Sequence, residues 1–320
     1  MQRLFSAFAL TTLLFLCCVS PLFSQPLRVD FRQAANDDSP FVTGEAHWIQ
    51  SILQKNNAVY YEGMSVPQRV VLMNIPSTSG NTHTLTFRHK ATKGGIHAYD
   101  FLTSYGQAIA ASNAIVGPTI LYDLHPCGSD IGPPKTMEQA CLDMRAGLHS
   151  FAVSVPDAMG TVLTHDVASS VAKYEARFGN RVVQLYGDKA ITTASLRFDG
   201  YTSGSNINAQ YTLTWTSASD AILIEMAGHL SMGLDVMGAG TGIAYGSGYG
   251  AGSISGGSYH FKLDELDGSA LGQQDNQIMG ATVLESITCK TTGLGLVCAG
   301  TQNTYSFNSN ISGLSYTWSL

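Results

Sequence analysis

The chain has 320 residues, enough for one sizeable core, and only 12% of them are charged, about half the usual share. Its net charge of −6 and its scattered Lys and Arg argue against nucleic acid or an anionic membrane surface as partner, since both need a basic cluster. With 33 glycines and abundant Ser and Thr, the composition fits an exported, mainly β protein.

Residues 1–24 read as a secretion signal. Arg3 supplies the positive start, residues 4–23 are mostly apolar, Pro21 breaks the run, and Ser24 suits the position before cleavage. A membrane anchor fits less well, because Thr11 and Thr12 interrupt the run and no basic cluster follows. Bulky Phe15 and Leu16 disfavour lipid attachment at Cys17 or Cys18. Nothing after the signal is long and apolar enough to span a bilayer. Removing residues 1–24 leaves four cysteines, and an even count in an exported chain suggests disulfides. Local pairing, Cys127 with Cys141 and Cys289 with Cys298, is the economical expectation.

From about Ala46 the chain reads as strands separated by turns. Segments 58–63 and 67–74 come first, then the turn cluster 76–81. In 82–90, Thr82, Thr84, Thr86, Arg88 and Lys90 alternate with His83, Leu85, Phe87 and His89. Period-2 alternation marks a strand with two different faces. Residues 99–105 suggest the start of a short helix. Segment 136–145 has helical spacing, and 164–178 predicts another helix, with Thr164 as N-cap and Gly179 as stop. The stretch 106–178 therefore reads as a partly helical insertion. Strands resume at 181–186, 192–198, 208–216, 221–226, 259–263 and 278–284. This pattern predicts a β-sandwich or jelly-roll-like domain over 25–286.

Several constellations could carry chemistry. His229 and His260, with Asp235 or Asp264, form a candidate transition-metal set. Isolated histidines on separate strands are more often hydrogen-bonded structural residues. Asp264, Asp267, Gln274, Asp275 and Asn276 bunch around glycines as candidate calcium oxygens. The same residues also make an ordinary polar turn. A carboxylate with His97, or Asp100 with Glu62, would be the acid–base pair of a hydrolase; His97 and Asp100 also fit a turn, with Asp100 capping the helix that follows. No nucleophile elbow or zinc-protease motif accompanies them. The glycine-rich run 238–257 lacks the lysine of a phosphate loop and reads as a flexible surface loop. Its Tyr245 and Tyr249 are candidate contacts for a glycan or protein ligand.

Short runs in the chain resemble an uncharacterised β-rich domain found in large bacterial secreted and surface proteins ahead of repeat modules. They are 61–67 (YEGMSVP), 97–104 (HAYDFLTS), 228–230 (GHL), 258–260 (SYH) and 272–275 (GQQD). Ala227 and Ser258 depart from the pattern, where Gly and Pro are expected. The resemblance implies no catalytic residues. Segment 287–320, through 297–301 (VCAGT) and 316–318 (YTW), resembles the opening of a PKD-like, Ig-like domain. It holds roughly a third of the ~100 residues such a sandwich needs. The chain therefore reads as the N-terminal piece of a longer, multi-domain extracellular protein. Its expected role is non-catalytic: structural, adhesive or ligand-presenting. A carbohydrate-binding or calcium-stabilised module is the alternative, and a hydrolase or its accessory comes third.

Overall fold

The computed structural model describes residues 25–37, 47–116, 127, 135–156, 160–235, 239–285, 289–292 and 306–309. The expected signal at 1–24, Gly238 and Cys298 lie outside the described residues, as does the side chain of Cys289. The fold is mainly β, with two large sheets facing each other.

Strands β1 (Arg28–Ala35), β2 (His47–Ile49), β3 (Ser65–Met73) and β4 (Thr82–Lys90) come first. Strand β5 (Tyr99–Thr103) runs into helix α1 (Tyr105–Val116), followed by α2 (Lys135–Ala146), β6 (Ser150–Ser154) and α3 (Val167–Phe178). Strands β7 (Val182–Gly187), β8 (Ile191–Tyr201), β9 (Asn208–Ser217) and β10 (Ala221–Leu230) follow. The last of the set are β11 (Ser258–Leu266), β12 (Ser269–Ala270) and β13 (Asp275–Met279).

The first sheet has seven strands in the order β2-β1-β3-β10-β7-β6. On one edge β10 pairs with β3 along its length; its other edge is shared by β7 and then β5. The second sheet has six strands, β8-β9-β4-β11, with β12 and β13 both on β11. Side chains cross between the sheets. Phe31 meets Phe261 at 6.0 Å, Tyr99 meets Tyr259 at 5.2 Å, and Asn276 donates to Gln68 at 2.8 Å.

The two sheets differ in how many faces they bury. In β4 and β9 burial alternates residue by residue, with threonines turned outward and Leu85, Phe87, Tyr211, Leu213 and Trp215 inward. That is the pattern of a sheet with one solvated face. Strands β3 and β10 are buried almost throughout, because α1 and α2 pack on their other face. Helix α2 does so through a second apolar cluster of Val71, Leu223, Met137, Met144 and a Cys127–Cys141 disulfide.

Several expectations change. Arg28–Ala35 is a strand that sequence reading leaves out. Residues 99–103 are strand, and the helix begins only at Tyr105. The N-cap of α3 is Asp166, which accepts from the Ala168 N–H at 3.0 Å; Gly179 closes the helix as expected. The expected strand 278–284 is broken by a single turn at Gly280–Thr282. The 106–178 segment does more than decorate the sandwich: it supplies the β6 edge and the helices that cover the first sheet. In the expected Ig-like tail, Cys289–Thr292 pairs antiparallel with Ser306–Ser309.

The disulfide closes a loop with a sequence separation of 14. Opening it by Cys127→Ser with Cys141→Ser should lower unfolding free energy by about 3 kcal/mol. Urea unfolding of the variant, compared with wild type with and without reductant, measures this. An unchanged midpoint would mean the bridge contributes nothing.

Candidate functional site

Two groups of side chains qualify as a site, one buried beneath the glycine-rich loop and one on the outer face of the second sheet.

The buried group starts from β10. Gly228 lets the Tyr99 ring lie against the backbone; a Cβ there would sit 2.9 Å from the ring. The next residue, His229, stacks on Phe101 at 4.2 Å and has Tyr174 of α3 edge-on at 5.5 Å. Its Nδ1 lies 2.6 Å from Asp100 Oδ1. The other Asp100 oxygen accepts from the Tyr245 hydroxyl at 3.0 Å. Burial and the Asp100 charge push the Tyr245 phenol pKa upward, which keeps it protonated as a donor. His97 stacks on Tyr245 at 4.2 Å, and its Nε2 lies 3.0 Å from His165 Nδ1. His165 is half-buried and touches Tyr249 at 5.1 Å.

Glu62 holds the same loop from the other side. It accepts from Gly233 N–H at 2.8 Å and Gly252 N–H at 2.9 Å. Any side chain at Gly250 would collide with the Glu62 carboxylate and the Gly233 nitrogen. The described part of the run, 239–257, is therefore tied down at several points, not the flexible loop that composition suggests. Glycines are there to let backbone approach a buried carboxylate.

This arrangement corrects the candidates read from sequence. His97, Asp100 and His229 do come together, but at 0%, 1% and 0% exposure they are core residues. The Phe101 and Tyr174 rings pack directly on His229. Tyr245 is buried, which removes it as a ligand contact; Tyr249 is 46% exposed. His260 belongs to the other sheet, where its Nδ1 meets Asp275 at 2.8 Å, so it cannot share a metal with His229. Asp235 pairs instead with Lys173.

The calcium set is likewise divided. Asp264 pairs with Arg88 at 3.2 Å, and Asp267 binds His83 and the Thr84 N–H. Asp275 faces outward to His260, while its neighbour Asn276 points into the core to Gln68. Adjacent strand residues face opposite sides, so these two cannot converge. Among the described residues no group of three or more His, Cys, Asp or Glu could hold a metal ion.

The outer-face group went unnoticed in the sequence. Arg88, Lys90, Asn208, His260, Lys262 and Asp275 line a depression of about 230 Å³. The signal was present in the alternation of β4, which turns Arg88 and Lys90 to one side. Their cationic partner on β11 depends on strand pairing, which no local pattern reveals.

No family model, curated protein or solved structure matches the chain.

Burial lowers the pKa of His97 and of His89 to about 4 each. An unfolded histidine titrates near 6.5, so below that pH the unfolded chain takes up protons the native one refuses. Stability is then full at neutral pH and should fall as pH drops from about 6.5 toward 4. Urea midpoints across that range check this, and His89→Gln should flatten part of the slope. Separately, Glu62→Ala strands the buried Gly233 N–H and the part-buried Gly252 N–H and should cost about 1–3 kcal/mol for the first and less for the second. An unfolding midpoint near wild type would show that the loop is held some other way.

Proposed function

We propose that the chain is an exported, non-catalytic β-sandwich module that presents a preordered loop surface to a ligand outside the cell, within a larger bacterial surface protein. The observation that carries this reading is the pinning of the glycine-rich loop by Glu62 and Asp100. Two buried carboxylates are spent on holding backbone and a tyrosine in place, not left facing a cleft. A loop already ordered before binding loses less entropy when a ligand arrives. Binding surfaces are commonly loops positioned by a rigid scaffold.

The surface itself combines this loop with the Thr161–Val162/His165–Asp166 hairpin, which meets it at His165. Tyr249 and Ile243 from the loop and Leu163 from the hairpin are exposed. Leu163 holds φ at 54°, a conformation that costs a branched residue free energy and that a glycine would adopt freely. Export is supported by the N-terminal signal pattern and by the Cys127–Cys141 disulfide, since such bonds persist in oxidising compartments. The resemblance of the short sequence runs to domains of bacterial surface proteins supports the modular setting.

An array of glycans and matrix proteins probed with wild type and with Tyr249→Ala plus His165→Ala tests the reading. Wild type should give a signal that the double variant loses, and Tyr249→Ala alone should weaken it at an unchanged melting temperature. Tyr249 lies at the surface, whereas His165 is half-buried and bonded to His97, so the single variant is the control for folding. Silence from wild type, or equal signal from the variant, removes the loop as the binding surface.

A further inference from the structure

We infer that the outer face of the second sheet carries a separate site for an acidic sugar polymer, built on the depression formed by Arg88, Lys90, Asn208, His260, Lys262 and Asp275. These residues come from four adjacent strands, β9, β4, β11 and β13. The site therefore extends over three strand spacings, about 14 Å in all. That is longer than a phosphate or a single sugar ring, and it suits a chain laid across the sheet.

The charge arrangement is unfavourable for the sheet alone. Arg88 and Lys262 are direct cross-strand partners. Like charges placed opposite each other destabilise a sheet. Lys90 adds a third cation on the same face, and its pKa is lowered by partial burial and by the nearby Arg88 and Lys93. Arg88 has Asp264 as partner, and the Lys262 charge also favours the ionised Asp264, but the Lys262 side chain makes no hydrogen bond or salt bridge among the described residues. The remaining outward positions of β4 and β9 are Thr82, Thr84, Thr86 and a run of Thr and Gln. Neutral residues thus serve most of this face on β4 and β9; apart from Arg197 on β8, which pairs with Asp199, its cations lie at one corner, interleaved with Asp264 and Asp275. In a chain of net charge −6 this is a local reversal of sign.

The ligand must satisfy more than cations. Asp275, held by His260, and the Asn208 amide offer hydrogen bonds suited to hydroxyl groups. Asp275 and Asp264 lie among the cations and repel any polyanion, a densely charged polyphosphate or nucleic-acid backbone more than a chain with one carboxylate per sugar. A polymer that alternates carboxylates with hydroxyls, as uronic-acid chains do, meets both demands. Arg88 and the two lysines then take the carboxylates. This site lies on a different surface from the glycine-rich loop and stands independently of the loop reading.

Calorimetric titration of the full chain with a uronate tetrasaccharide, a neutral tetrasaccharide and inorganic phosphate tests the inference. The uronate should bind at low salt, weaken as salt is added, and lose about tenfold in affinity in Lys90→Gln and again in Lys262→Gln. Lys262→Gln should melt at or above wild type, because a like-charge pair is removed. Absence of uronate binding, equal binding by both variants, or phosphate binding as tight as uronate would overturn the proposal. The Tyr249→Ala plus His165→Ala variant separates the two surfaces. Uronate binding lost there, and kept in the lysine variants, sinks this site and leaves the loop reading standing.

Discussion

The central strands of the first sheet, β3 and β10, are buried on both faces, and most of the architecture follows from that constraint. One face of them packs on the second sheet, and the other lies under α1 and α2. Yet the helix-covered face carries charge. Arg32, Arg69 and Glu225 stand side by side across three strands, with Asp30 beside them. Charges taken out of water must be paired. Asp30 accepts from Arg32 at 2.8 Å, Arg69 at 3.1 Å and Gln50 at 2.9 Å. Arg69 lies over Trp48 at 4.9 Å, and Trp48 stacks on Tyr105 at the start of α1. Burial raises the pKa of Glu225, and Arg145 of α2 pairs with it and draws it back. Helix α2 is thus fixed to the sheet by an ion pair as well as by apolar contact, and α1 by the Tyr105 ring stacked on Trp48.

The same logic governs the loop end of the molecule. Glu62 and Asp100 are buried carboxylates, and each finds its partners on the glycine-rich loop or beside it. A catalytic Asp–His pair would share the contact between Asp100 and His229. What separates the two roles is access. Here Phe101 and Tyr174 pack on His229, and the Tyr245 hydroxyl donates to the second Asp100 oxygen. The pair acts as a tie between β5, β10 and the loop, and His97 extends the tie to the hairpin through His165.

The second sheet follows a different rule. Its outer face meets solvent, so its side chains are free to carry surface chemistry without cost to the core. On β4 and β9 much of that face is threonine, which is well suited to a pleated, half-buried surface. The Arg88–Lys262 pairing is the exception. Residues far apart in the chain become neighbours there because β4 and β11 pair in a fixed register.

Sequence alone determined the elements whose two faces differ. The alternation in 82–90 gave β4 residue for residue, the spacing of 136–145 gave α2, and Gly179 gave the end of α3. A solvated face writes a period into the chain, and that period can be read locally. It could not show β1, because Arg28–Ala35 sits where both faces are covered and the polar residues are paired inside. It grouped Asp264, Asp267, Asp275 and Asn276 by proximity along the chain, whereas strand pleating turns Asp275 and Asn276 to opposite sides. It chose Tyr245 and Tyr249 alike, and only packing made one a core donor and the other a surface ring. Partnership between distant strands, and which of two faces a covering helix buries, are decided by the tertiary structure, because they depend on contacts that no local stretch of sequence contains.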